Sequence, residues 1–236
     1  MHLQVLYEDN HIIAINKPAG YLVQGDETGD TPLSEHVKKY IKIQYNKPGD
    51  VFLGVIHRLD RPVSGVLLFA RTSKALSRMN EQFMNRDVEK VYWAITHGQP
   101  DPLEGELLHF LVKDKEKNIT KAYDTMSRRA EGAKRAELTY RMLGRIGHFC
   151  LQEVRPLTGR PHQIRVQLSR NNTPIKGDLK YGAPTPNTDG SISLHCRALR
   201  FLHPVKKEWV HITALPPKLE GWELFKGFEV PDPEEA

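Results

Sequence analysis

The chain has 236 residues, enough to bury a sizeable core in one domain or in two lobes. Its 34 Lys and Arg against 29 Asp and Glu give +5; Glu229, Asp232, Glu234 and Glu235 make residues 229 to 236 acidic, so the remaining body is more basic, compatible with a polyanionic partner without requiring one. Two cysteines exclude a disulfide framework, the 11 histidines have no zinc-like spacing and call for no metal, and no apolar run approaches the roughly 18 residues of a membrane span, so the expectation is a soluble cytoplasmic protein that meets no membrane.

In chain order, Leu3 to Tyr7 and Ile12 to Asn16 read as short strands around a Glu8-Asp9-Asn10 turn, ending at Lys17-Pro18-Ala19-Gly20. Thr31-Pro32 reads as a helix start, with Leu33, Val37, Tyr40 and Ile41 at helical spacing up to about Tyr45. The stretch Val55 to Ala70 then sets a charged patch, His57-Arg58-Leu59-Asp60-Arg61, between two apolar strand-like runs, with Pro62 and Gly65 bracketing a turn. Asp60 lies between two guanidiniums, which favour its ionised form and suit it to nucleophilic or electrostatic work rather than proton donation. A solvated charged turn between two buried strands accounts equally well for this window taken alone.

Ser73 reads as an N-cap, with Leu76, Met79 and Phe83 on one packing face. Lys90 to Ile95 alternates, placing Val91, Trp93 and Ile95 on one side of a strand and Tyr92 and Ala94 on the other. Residues 113 to 135 hold eight Lys or Arg against four acids, which fits either a solvated loop or ribbon or an arm that tracks phosphates. Ala136 to Leu143 and Phe149 to Val154 form a hairpin about Gly144-Arg145-Ile146-Gly147. Thr158 caps a helix carrying Arg160, His162, Gln163 and Arg165, whose first turns would make an anion-facing surface. Pro174 to Gly182 has the composition of a surface loop, in which Asp178 is read as structural, and strands follow at Ser193 to Pro204 and at Trp209 to Ala214. Short turns and few helices give an α+β fold with a mixed, mostly antiparallel sheet.

The run His57-Arg58-Leu59-Asp60-Arg61-Pro62-Val63-Ser64-Gly65, followed by Leu67-Leu68-Phe69-Ala70-Arg71-Thr72, resembles the signature of the RluA-type pseudouridine synthases. Asn16 to Gly20 resembles that family's opening motif, Lys90-Val91-Tyr92-Trp93-Ala94 its second, and Leu157 to Leu168 its third. The resemblance spans about residues 5 to 215, with the motifs in the family's order. It implies the pseudouridine synthase catalytic fold, a bent sheet with a central cleft, as one domain of two sub-lobes over residues 1 to 228 and a frayed tail over 229 to 236.

It also implies the chemistry: a uridine of a structured ribosomal or transfer RNA is extruded, its bond from ribose carbon 1′ to base nitrogen 1 breaks, and the base rejoins through carbon 5 without cofactor or metal. Asp60 would be the nucleophile, at carbon 1′ or at base carbon 6, or a base that removes a ribose proton. Arg165 would keep Asp60 ionised and Tyr92 would stack on uracil. Arg58, Arg61, Arg160, His162 and Gln163 are the expected RNA contacts, with Arg58 able both to stack and to bind phosphate. The match begins near the N-terminus, so RNA contacts are expected from the catalytic body itself, which hints at a short stem-loop such as transfer RNA. With no heptad pattern, a monomer is the default. Val63 stands where the family usually has threonine and Gln167 where it often has histidine, departures expected to alter loop hydrogen bonding or substrate contacts. The competing function is a non-catalytic RNA-binding or chaperone-like protein on the same fold.

Overall fold

The structure is a computed structural model and describes residues 3–25, 29–126 and 128–228. Along the chain come β1 (Val5–Glu8), β2 (Ile12–Lys17), α1 (Leu33–Gln44), β3 (Gly54–Val55), β4 (Ser64–Ala70), α2 (Ser73–Asn85) and β5 (Glu89–His97). These are followed by β6 (Glu104–Asp114), β7 (Ile119–Tyr123), β8 (Lys134–Ile146), β9 (Phe149–Pro156), α3 (Gln163–Arg170), β10 (Leu194–Leu202), β11 (Trp209–Thr213) and α4 (Glu220–Glu223). The chain divides into two compact units, residues 1–90 with 196–216 and residues 91–195 with 217–236. The expected tail at 229 to 236 lies outside the described residues.

In the first unit β2 pairs antiparallel with β1 and β4, β3 also pairs with β4, and β10 neighbours β4 and pairs with β11. Ile12, Ile13, Ile15, Leu67, Leu68 and Phe69 are all fully buried, so β2 and β4 are covered on both faces. That is why their sequences run continuously apolar instead of alternating. Helix α1 buries Leu33, Val37 and Ile41, four residues apart, but no side chain caps it: its N-cap is Pro32, not Thr31. Helix α2 is capped by Thr72, whose hydroxyl accepts from the Ala75 amide at 3.2 Å, one residue before the expected Ser73. Gly65 is not a turn residue. It lies within β4 at φ 118°, where a Cβ would come within 2.3 Å of the Cys196 backbone, so glycine is required by close strand approach.

In the second unit the strand order is β5-β9-β8-β6-β7, every pair antiparallel. Among the described residues of 113 to 135, the basic run forms the β6–β7 ribbon, Asp114 pairing with Ile119, and its last residues enter β8. The next hairpin turns at Gly147-His148, later than expected, because a bulge between Met142 and Gly144 lets β8 continue past its first glycine. On one face Ile95, Leu151, Trp222 and Phe225 form a core against which Trp93 packs. Ala94 and Thr96 are buried as well, so the centre of β5 is covered on both faces.

Two expectations for this unit are corrected. Helix α3 starts at Gln163, after His162 in a left-handed conformation (φ 53°), and Thr158 does not cap it. The Thr158 hydroxyl instead accepts from the Glu137 amide at 2.9 Å and donates to Gln163 Oε1 at 2.8 Å. The segment 174 to 182 is only in part a surface loop: Leu179, Lys180 and Gly182 are exposed, but Ile175, Asp178 and Tyr181 are buried, and Ile175 bridges to Thr96 of β5.

Candidate active site

The Asp60 loop belongs to the first unit. The Val63 amide donates to the Asp60 carbonyl at 3.0 Å, closing a tight turn over Arg61-Pro62, and β4 begins at the next residue. The turn is held from below by Lys17, the last residue of β2, which is fully buried. Its ammonium reaches the carbonyls of Pro18 (3.1 Å), Asp60 (3.3 Å), Arg61 (3.1 Å) and Val63 (2.7 Å). Burial pulls the Lys17 pKa down to about 7, Asp60 raising it and Arg61 lowering it further. An ammonium that spends its donors on main-chain carbonyls fixes the loop that carries the aspartate.

His57 supports the same loop from the side. Its ring stacks on Phe83 (centroids 5.1 Å apart, 17° between planes) and its Nε2 accepts the Leu68 amide at 3.1 Å. A nitrogen that accepts a backbone N–H carries no proton, in keeping with burial, helped by Lys90, lowering the ring's pKa to about 3. Arg58 and Arg61 are both exposed. Arg61 pairs with Asp30 at 2.8 Å and donates to the Gly20 carbonyl at 3.0 Å, so its guanidinium is shared between these two acceptors.

Tyr92, Arg160, His162, Gln163 and Arg165 belong to the second unit. Tyr92 is half-buried and in register with Val154 of β9, which in turn pairs with Tyr140 of β8, so the three share one face. Arg165 is buried and forms a two-pronged ion pair with Asp178, Nε to Oδ2 at 2.6 Å and Nη2 to Oδ1 at 2.8 Å. Its guanidinium also sits 5.0 Å from the centre of the Tyr181 ring. The Tyr181 oxygen accepts the Thr120 amide at 2.8 Å and lies 2.7 Å from His162 Nδ1.

The first turn of α3 is therefore interior, with Arg165 turned to Asp178, and not an exposed surface. Gln163, expected to touch RNA, is 4% exposed, accepts from Thr158 and the Arg160 amide, and donates to the Glu137 carbonyl. It holds the turn instead. Gln167 is likewise fully buried and donates to the carbonyls of Leu107 (3.0 Å) and Ala136 (3.3 Å), which makes this departure structural and not a substrate contact. Arg160 is half-buried, with Nε donating to the Arg135 carbonyl at 3.2 Å. Among the described residues no group of three or more His, Cys, Asp or Glu is placed to hold a metal ion, and no helix is long and apolar enough to cross a membrane.

Residues 11–170, which include Asp60, Tyr92 and Arg165, match the family model described as RNA pseudouridylate synthase. The chain belongs to this family. It is thus an isomerase that converts uridine in RNA to pseudouridine. It is 32% identical over 230 residues to tRNA pseudouridine synthase C of Vibrio cholerae, covering 90% of each chain. It is 34% identical over 211 residues to ribosomal large subunit pseudouridine synthase D of Borreliella burgdorferi, covering 87% of this chain and 60% of that one. Among solved structures, the human RNA pseudouridylate synthase domain containing 4 superimposes with a TM-score of 0.75 at 27% identity, covering 91% of this chain and 89% of the other. The fold expected from the motifs is the fold of these relatives.

The residue that sequence reasoning passed over is Lys17. It lay inside the opening motif and received no role, yet its signal was present: a lone charge closing a strand, Ile12 to Lys17, whose other residues are almost all core. Tyr181 gave no comparable signal, because its position under Arg165 depends on how residues 174 to 182 turn Asp178 and Tyr181 inward.

Proposed function

We propose that Asp60 is the catalytic group of a pseudouridine synthase acting on a uridine in structured transfer or ribosomal RNA. The observation that carries this reading is the grip of Lys17 on the Asp60 loop: a buried cation is spent on the main chain that presents one particular carboxylate. Ionised Asp60 attacks the nucleoside or takes a ribose proton, and the bond from carbon 1′ to nitrogen 1 breaks. The uracil then rotates and carbon 5 bonds carbon 1′. Loss of the carbon 5 proton restores the aromatic base, nitrogen 1 takes up one proton from solvent in its place, and Asp60 is regenerated, so the reaction is balanced without an external reagent.

Tyr92 offers an aromatic face on which an extruded uracil can stack. Arg165, held rigid by Asp178, is the electrostatic stabiliser of the anionic groups of the reaction. Exposed Arg58 and Arg61, together with Arg160 and His162, are assigned to RNA. The target classes are those in the relatives' names, one set acting on transfer RNA and another on the large ribosomal subunit. The enzyme is assigned to the cytoplasm as a monomer.

The test is pseudouridine mapping of total RNA from cells with the gene intact, deleted, or carrying Asp60→Asn. One site lost in both altered strains establishes catalysis and names the RNA. If the site survives in the Asp60→Asn strain and vanishes in the deletion, the role given to Asp60 is wrong.

A further inference from the structure

The Arg165–Asp178 pair does not stand alone within the second unit. Tyr181 lies against the Arg165 guanidinium and, through its hydroxyl, joins two elements that otherwise serve different ends. One is β7, whose Thr120 amide donates to that hydroxyl. The same residue's side-chain hydroxyl donates to the Pro161 carbonyl at 2.9 Å, so the ribbon is bound once to Tyr181 and once to the segment leading into α3. The other is His162, whose left-handed backbone is uncommon for a residue with a Cβ and persists only where its surroundings hold it.

The proton bookkeeping gives this network a direction. Lys113 Nζ lies 3.3 Å from His162 Nε2, and an ammonium can only donate. Nε2 is then the acceptor, the ring proton sits on Nδ1, and Nδ1–H donates to the Tyr181 oxygen. Lys113 also donates to Asn118 Oδ1. If its ammonium leaves His162, Nε2 can take the proton, Nδ1 becomes an acceptor, and the Tyr181 hydroxyl donates instead. Lys113 belongs to the β6–β7 ribbon, which also carries Lys115, Lys117 and Lys121 and makes a natural track for RNA phosphates.

We infer that Tyr181 is a positioning residue for Arg165, and that Lys113 and His162 connect that position to RNA bound on the β6–β7 ribbon. This rests on reading Arg165 as part of the isomerase site. A phosphate that draws Lys113 away reverses the hydrogen bond between His162 and Tyr181, and the ring against Arg165 resets with it. Binding of RNA on the ribbon and placement of the guanidinium are then one event.

The test uses the full chain as wild type, Tyr181→Phe, Lys113→Ala and the double variant, with the unmodified transfer RNA transcript or ribosomal fragment identified by mapping. Tyr181→Phe keeps the ring against Arg165 and removes the hydroxyl. It is expected to slow single-turnover isomerisation at saturating RNA about tenfold while leaving RNA affinity within about twofold. It is also expected to shift the Arg165 Nε–H resonance in the spectrum of the free protein. Lys113→Ala should slow the same step, and the double variant should be no slower than the slower single one, because both cut one connection. Rates that multiply would overturn the connection to the ribbon. An unshifted Arg165 resonance with an unchanged rate would overturn the positioning role, and a lowered melting temperature alone would show that Tyr181 is only structural. If Tyr181→Phe fails to fold, His162→Asn, which tolerates the left-handed backbone, breaks the same connection and is judged by the single-turnover rate at saturating RNA and by the Arg165 resonance alone. Should wild type prove inactive on every RNA, the reading of the site fails, while the Arg165 resonance still decides the positioning role.

Discussion

The Asp60 loop and the Arg165 network are held in opposite ways. Lys17 grips the loop through three of its main-chain carbonyls, and none of those bonds uses the Asp60 carboxylate. Arg165 is held through its own guanidinium, by two bonds to Asp178 and by the Tyr181 ring. Lys17 acts on the main chain that carries Asp60, whereas Asp178 and Tyr181 act on the Arg165 side chain directly, so the placement of that guanidinium follows theirs. The difference separates what a substitution does to chemistry from what it does to folding, and it can be broken at several points.

The largest effect on stability is expected from Asp178→Asn. It leaves the Arg165 charge buried without its carboxylate, and losing one partner of such a pair costs about 3–5 kcal/mol, measurable by urea unfolding. Lys17→Met should cost less, about 1–3 kcal/mol, since it strands carbonyls rather than a full charge. Its effect on single-turnover rate should exceed its effect on RNA affinity, because the loop presenting Asp60 loosens while the RNA contacts remain. If Lys17→Met matched wild type in rate, the main-chain grip would have no part in catalysis.

His57 provides a smaller, pH-dependent contrast. Its folded pKa, lowered to about 3 from an ordinary 6.5, means that the unfolded chain binds the extra proton between those values. Its contribution is therefore fully present above pH 6.5 and is lost as the pH falls toward 3. In His57→Gln the fall in melting temperature over that window should be shallower than in wild type. Least of all, Arg61→Ala removes an exposed pair with Asp30 and should cost under about 1 kcal/mol, in a manner that added salt further reduces.

Much of this arrangement was legible in the sequence because it is local. The continuous apolar runs of β2 and β4, the spacing of Leu33, Val37 and Ile41, and the turn after Asp60 depend on near neighbours. So do the motifs, which placed Asp60, Tyr92 and Arg165 in order. What was misread depends on distant partners. Thr158 looks like a cap until Glu137 and Gln163 compete for its hydroxyl. Gln163 looks like an exposed amide until Glu137 takes it, and Gly65 looks like a turn residue until the Cys196 backbone approaches. The inward turn of Ile175, Asp178 and Tyr181 goes with Asp178 meeting Arg165, a pairing that the polar composition of that segment conceals.

The central claim, that the Asp60 carboxylate carries the isomerisation, is tested most directly with purified protein and an RNA whose uridines carry tritium at carbon 5. Forming the new carbon–carbon bond expels that hydrogen, so wild type should release tritium into water while Asp60→Asn, with an unchanged melting temperature and RNA affinity, releases none above background. Release by Asp60→Asn at the wild-type rate would contradict the account.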